Sequence, residues 1–335
     1  MKLPALSIDM GSSNTRIYQL GTGVVLSESS VIAINETGKF SVKCVGTEAK
    51  KMIGKTVDGT VVCSPIFEGQ IADERGAELM LNNFLNKVTL KFLGKRPSVL
   101  FSVPCGAENG AIKKFEKVLN ECGVYNIYFV ESPVLTALGL GVPLTESNPC
   151  FVIDIGGGST KLAAVSLGGV ISGISVNIGG KSIDRMLMDY VEDEFGLKIG
   201  MLTAERLKIQ IGSLLENDGT ETVVNGRDCL SGKPRAVAIK SCEILPPIKG
   251  FFDKIFQLAG MVMAKLPAEI SADIRRSGVY FAGGTSKFIG LDDYFRFNMG
   301  IRANVGDDPA LATISGAGKV AGDAKLLSRL NLNRR

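Results

Sequence analysis

The chain has 335 residues, 45% of them apolar and 21% charged, with a formal net charge of +4. This is the composition of a globular protein large enough for two cores, and its slight, scattered basicity gives no argument for direct nucleic-acid binding. With no histidine anywhere, a His-based triad, a His metal site and a His general base are excluded, and acid–base chemistry is left to Asp, Glu, Lys, Tyr or Cys.

The first element is an apolar strand, Leu6-Ser7-Ile8, ending on Asp9 and followed by Gly11, then Ser12, Ser13 and Asn14 before a second strand. Val24 to Leu26 and Val31 to Ile34 continue in β fashion, so residues 5–34 read as a three-stranded meander. Residues 35–72 hold a short strand (Val42 to Val45), a small helix around Glu48 to Ile53 and a turn-rich stretch, which suits a small inserted subdomain. Glu74 to Lys87 is an amphipathic helix with Ala77, Met80, Leu81, Phe84 and Leu85 on one face.

Between basic residues lies the apolar tip Leu90, Phe92 and Leu93, which either dips into an anionic membrane surface or caps the local core. A strand (98–103), a helix (107–122) and a strand (125–130) follow. Ser132 then reads as the N-cap of a helix with Pro133 at its first position, and this helix closes the first half near Pro149.

The second half opens like the first, with Phe151-Val152-Ile153, Asp154, then Gly156, Gly157, Gly158 and Ser159 before another strand. Three glycines let the backbone turn tightly and bring N–H groups close to a phosphate, and the Asp at the strand end suits a hydrated Mg²⁺. One such hairpin alone could serve only its own turn. Asp9 with Gly11 and its hydroxyl residues makes a second copy, and together they predict two similar domains facing each other across a nucleotide.

After the meander, Gly179 and Gly180 lead into a helix reaching about Phe195, and Thr203 to Leu215 is a helix carrying Glu205 and Lys208. Taken alone, these two, three apart, would form a surface ion pair. Residues 220–241 form strands of a second small subdomain, and Glu243 to Met263 is helical. A buried strand then runs into Gly283, Gly284, Thr285 and Ser286, a third ligand loop at a helix start. Asp308-Pro309 precedes the last helix, and Ala324 to Arg335 is a tail bearing Leu and Arg.

The seven cysteines form no Cys-x-x-Cys pair, as expected for reduced thiols in a cytosol. No segment reaches the roughly 18 to 20 apolar residues that cross a bilayer, and the start has no apolar signal core. A cytoplasmic protein is therefore expected.

These motifs, in this order and over nearly the whole chain, resemble the MreB family of bacterial actins. They are 9–15, 46–54, 69–73, 154–160, Ala204 to Lys208, Gly283-Gly284, and Asp308-Pro309 followed by Gly316 to Lys319. The resemblance implies an α/β, duplicated (RNase H-like) actin fold with four subdomains: domain I at 1–147 with an insert at about 35–72, and domain II at 148–335 with an insert at about 181–250. It implies ATP and Mg²⁺ in the cleft between them and assembly of the chain with copies of itself into filaments. Ser12, Ser13 and Asn14 would hold phosphates from one side and Gly156, Gly157, Gly158 and Ser159 from the other, with Gly180 beside them. Asp9 and Asp154 would organise Mg²⁺ through waters, Glu205 and Lys208 would flank the ribose and adenine, and Gly283, Gly284, Thr285 and Ser286 would close over the nucleoside.

Three departures carry expectations. Where the family has a Glu before the helix-opening Pro, this chain has Ser132, with Glu131 one residue earlier, so either hydrolysis is slow or Glu131 substitutes as base. Thr285 replaces a third glycine. The short amino terminus leaves no room for an amphipathic anchor, so a membrane contact would use Leu90, Phe92 and Leu93, or the tail with Lys325, Leu326, Leu327, Arg329 and Leu330. The alternatives are a small-molecule kinase on the same cleft and a non-polymerising ATP-dependent adaptor.

Overall fold

The computed structural model describes residues 3–36, 41–56, 59–89, 98–144, 148–216 and 218–334. The first half runs β1 (Leu6–Met10), β2 (Asn14–Gln19), β3 (Gly23–Ser29), β4 (Ile32–Asn35), β5 (Ser41–Val45), α1 (Thr47–Lys51), β6 (Thr60–Cys63), β7 (Ile66–Phe67), β8 (Gln70–Ile71), α2 (Glu74–Thr89), β9 (Val99–Val103), α3 (Asn109–Glu121), β10 (Ile127–Glu131) and α4 (Ser132–Gly139). The second runs β11 (Cys150–Ile155), β12 (Thr160–Ser166), β13 (Gly169–Val176), α5 (Gly180–Phe195), β14 (Leu197–Lys198), α6 (Met201–Ile211), β15 (Glu221–Asp228), β16 (Pro234–Lys240), α7 (Ser241–Met263), α8 (Ala268–Ser277), β17 (Val279–Ala282), α9 (Leu291–Met299), β18 (Ala303–Val305), α10 (Ala312–Ala321) and α11 (Ala324–Leu330).

Two five-stranded sheets share one topology, β10-β9-β1-β2-β3 and β18-β17-β11-β12-β13. Each is founded on an antiparallel hairpin, β1–β2 or β11–β12, whose first strand also pairs in parallel with a later one, β9 or β17. The inner strands β9 and β11 are buried at every position, as expected of near-continuous apolar runs, broken only by Ser102 and Asp154, that are covered on both faces. Separate cores lie in the two halves, one around Phe84, Phe101 and Phe129, the other around Phe252, Phe281 and Phe295.

The expected meander over residues 5–34 ends early. After Ser29 the chain leaves the first sheet: the Ser30 hydroxyl donates to Gly11 O at 2.6 Å and lies 2.9 Å from Thr15 Oγ1, and its N–H donates to Ser13 O at 2.9 Å. These local bonds take the place of the ladder, and β4 pairs instead with β5 and β6 in a small sheet. A second small sheet, β14-β15-β16, occupies the matching place in the other half.

A third core joins the halves, built from Val134 and Leu135 of α4, Val152 and Ala163 of the second sheet, and Ile314, Ala317 and Val320 of α10. Here α4 and α10 meet backbone to backbone: a Cβ on Gly316 would lie 1.8 Å from Leu135 O, and one on Gly139 equally close to Ala312 O. Thr136 and Thr313 join their hydroxyls across this seam at 2.9 Å, and Lys319 Nζ donates to Leu138 O at 2.7 Å.

The tail is part of this core, which corrects its expected availability to a membrane. Leu327 and Leu330 are buried, Leu326 packs against them, and Arg329 donates to Leu167 O. Asp323 accepts the N–H groups of Lys325 and Leu326, capping α11 and fixing the docked helix. Leu90, Phe92 and Leu93 lie outside the described residues. Among those described, no helix is long and apolar enough to cross a membrane.

Candidate functional site

The cleft between the two hairpins holds a cavity of about 450 Å³. Its floor is the pair of hairpin turns, which are built alike: Gly11 N–H donates to Asn14 O and Gly156 N–H to Ser159 O, each at 3.0 Å. The turns also touch. A Cβ on Gly157 would lie 1.8 Å from Ser13 Oγ, and one on Gly158 2.7 Å from Ser12 Cβ. These glycines are therefore required by the opposite turn as well as by their own.

The turns present donors to the cavity because their carbonyls are taken elsewhere. Gly156 O accepts from Gly180 N–H at 2.9 Å and Gly157 O from Lys181 N–H at 2.7 Å, both at the start of α5. A peptide whose carbonyl faces the helix turns the next N–H the other way, so Gly157 and Gly158 N–H point away from α5. On the facing turn, Ser12 O accepts from Lys181 Nζ at 2.6 Å and from Ser64 Oγ at 3.3 Å, and Ser12 Oγ accepts from Gly69 N–H at 2.8 Å. The N–H groups of Ser12, Ser13, Gly157 and Gly158 have no protein acceptor among the described residues, which is the donor set a phosphate needs.

Four carboxylates line the cavity: Asp9, Asp154, Asp184 and Glu205. Each faces a cation. Asp9 is 4.0 Å from Arg16, Asp154 3.3 Å from Lys161, Asp184 2.7 Å from Lys208 and Glu205 2.7 Å from Lys50. Burial alone would lower Lys161, but the carboxylates of Asp154 and Asp9 outweigh it and raise its pKa above the ordinary lysine value. Burial, with Lys50 nearby, lowers Lys181. Burial also raises Asp184, against the pull of Lys208.

Glu205 and Lys208 do not pair with each other. Lys208 also donates to Gly180 O at 3.0 Å, and the Lys50–Glu205 pair joins α1 of the first half to α6 of the second across the cleft mouth.

Ser132 and Glu131 separate in role. Ser132 is the first residue of α4 rather than its cap, since the extended Glu131 holds the cap position. Ser132 is 1% exposed, lines the cavity, and its hydroxyl has no partner among the described residues. Glu131 is absent from the cavity wall, and its carboxylate accepts Gly106 N–H at 3.1 Å.

Asn14, Ser159, Gly283, Gly284 and Thr285 line the cavity. Ser286 does not: it is buried and donates to Ala282 O. Gly283 (φ 85) passes so close to Asp154 that a Cβ would lie 2.7 Å from its Oδ1. At the far end Ile209 and Phe288 give an apolar wall, with Ile209 72% exposed.

Arg16, Lys50, Lys161 and Lys181 escaped the sequence reading as site residues. For Arg16 and Lys161 a signal existed, because each follows its hairpin's Asp by seven residues and lies directly opposite it in register. Lys50 and Lys181 act across the cleft and have no such local mark.

Among the described residues no group of three or more His, Cys, Asp or Glu side chains is placed to ligate a metal. Asp9 and Asp154 on the cavity floor fit a Mg²⁺ held by waters and phosphate oxygens rather than by a protein cage.

The sequence model of the MreB/Mbl protein family matches residues 4–329. Cell shape-determining protein MreB of Escherichia coli is 35% identical over 319 residues, covering 94% of this chain and 92% of that protein. Cell shape-determining protein Mbl of Bacillus subtilis is 32% identical over 330 residues, covering 98% of each. Among solved structures, MreB 5 of Spiroplasma citri bound to AMPPNP superposes with a TM-score of 0.92 at 29% identity, covering 98% of both chains. A MamK double helical filament subunit, at 18% identity, shares the fold with a TM-score of 0.77 over 95% of this chain and 98% of its own.

Proposed function

The chain belongs to the MreB/Mbl family and has its actin-like fold, and on that premise we propose that it binds ATP with Mg²⁺ in the cleft and assembles in the cytoplasm, when nucleotide-bound, into cytoskeletal filaments that organise cell shape. The observation that carries this reading is the pair of apposed turns whose free N–H groups face one cavity. The AMPPNP in the Spiroplasma citri relative and the cell-shape role of the curated relatives support it.

In this reading the N–H groups of Ser12, Ser13, Gly157 and Gly158 grip phosphate oxygens. Asp9 and Asp154 would hold a magnesium ion through water, and the ion would offset phosphate charge. Ile209 and Phe288 wall the base. ATP, when bound, supplies the phosphoanhydride whose hydrolysis sets filament lifetime. The halves, 1–147 and 148–335, close on it about the α4–α10 seam, and the closed arrangement is the one that adds to a filament.

Hydrolysis is slow. Ser132 orients a water but is a poor base at neutral pH. Glu131 is engaged at Gly106, and the four carboxylates of the cavity are all ion-paired. The same pairing disfavours a small-molecule kinase, which needs a free carboxylate base beside the γ-phosphate. Of the two membrane contacts considered, the segment with Leu90, Phe92 and Leu93 is the one we retain, tested by co-sedimentation of L90S/F92S with anionic liposomes.

The test of this reading is calorimetric binding of ATP together with phosphate release. Wild type binds ATP but releases phosphate slowly, and Ser132→Glu accelerates release at least about tenfold, within the ~10²- to 10⁴-fold a positioned base contributes. Robust wild-type turnover that survives E131A and disappears in S132A would overturn it.

A further inference from the structure

In both hairpins the register sets a cation directly across from the acid, Arg16 from Asp9 and Lys161 from Asp154, and both cations line the cavity. Lys161 Nζ stands 3.3 Å from Asp154 Oδ2, its side chain 18% exposed, and Arg16 lies 4.0 Å from Asp9. Neither cation is spent on the pair alone. Arg16 Nε is buried with no partner among the described residues, and Lys161 lines the cavity together with both Asp9 and Asp154.

Lys181 reaches the same floor from α5, where its Nζ holds Ser12 O at 2.6 Å. The phosphate end thus carries three cations against two carboxylates, and Ser132 adds no charge where a Glu would. A cavity floored by two bare carboxylates would repel a polyphosphate until a divalent ion neutralised them. Here the chain neutralises them itself. Lys161, already 3.3 Å from Asp154, would also compete with a hydrated metal for that carboxylate.

We propose that Lys161, with Arg16 beside it, is a built-in counter-charge that lets this cleft hold nucleoside di- and triphosphates without a divalent cation. Magnesium then adds to affinity rather than being a condition for it. This rests on the nucleotide reading of the cleft, and the two fail differently.

The experiment is calorimetric titration of ADP and AMPPNP into the full chain, once in Mg²⁺ and once in EDTA. Wild type is expected to lose less than about tenfold in affinity on moving to EDTA. Lys161→Gln should lose roughly 100-fold more on the same move, the effect of one unit charge a few ångströms from a phosphate in a partly buried site. Lys161→Arg, which keeps the charge, should retain the resistance to EDTA. A wild-type loss of 100-fold or more in EDTA overturns the inference, as does a K161Q variant no more dependent on Mg²⁺ than wild type. Failure of wild type to bind in Mg²⁺ sinks the nucleotide reading instead. Thermal melts without ligand check that the variants fold, and if K161Q does not, the wild-type comparison still decides.

Discussion

Gly157→Ala isolates the clamp from the rest of the fold. Gly157 is not in the left-handed region, so alanine suits its backbone. The new Cβ would nevertheless lie 2.5 Å from Ser13 Cβ, against an ordinary contact of 3.4 Å, and no rotation of the serine hydroxyl relieves that overlap. The turns must part by 0.9 Å, the difference between those two distances. A phosphate hydrogen bond of about 2.9 Å would stretch to about 3.8 Å, past the range in which it counts as one. Losing one or two bonds to a charged acceptor, each ~1.5–3 kcal/mol, costs about 3 kcal/mol, or roughly 100-fold in affinity. Calorimetry with AMPPNP measures this, and a ligand-free melt should barely move. Removing the opposing side chain in G157A/S13G should restore much of the affinity. Wild-type affinity in G157A, or no rescue in the double variant, would refute the apposed-turn account.

Packing and burial give three further outcomes. Gly316→Ala places a Cβ 1.8 Å from Leu135 O inside the α4–α10 seam, so ligand-free stability should drop by about 1–3 kcal/mol or more in denaturant unfolding; an unchanged midpoint would contradict the backbone contact. Burial pushes the Cys105 thiol up to about 11, aided by Glu131, and the Cys150 thiol up to about 12, from an ordinary 9.0. In native protein at about pH 8, the exposed Cys229 and Cys242 should therefore alkylate well before Cys105 and Cys150. Because the folded state keeps protons that the unfolded chain sheds, stability from these thiols is whole below about pH 9 and is lost as pH rises through their folded values. Melting temperatures between pH 8 and 11 read that slope.

The hairpins were legible because their grammar is local: an apolar strand, an Asp, a glycine turn and hydroxyl residues, stated twice. The amphipathic helix from Glu74 was legible for the same reason. What escaped was set by partners far along the chain. β4 changes sheets because Ser30 bonds to Gly11 and Thr15, and the tail leucines are buried because α11 docks beside the α4–α10 seam, a contact over more than 150 residues. Ser132 and Glu131 are neighbours in sequence, yet the turn from β10 into α4 sends one into the cavity and the other to Gly106. The cross-cleft bonds of Lys50 to Glu205 and of Lys181 to Ser12 join residues 155 and 169 positions apart, which no local pattern encodes.

The most direct test is sedimentation of the purified full chain, with negative-stain imaging of the pellet, in ATP, in AMPPNP, in ADP and without nucleotide. Filaments are expected in ATP and AMPPNP, and soluble protein in ADP and in the nucleotide-free sample. Filaments that form equally in all four conditions, or a chain that binds ATP and stays soluble, would contradict nucleotide-linked assembly.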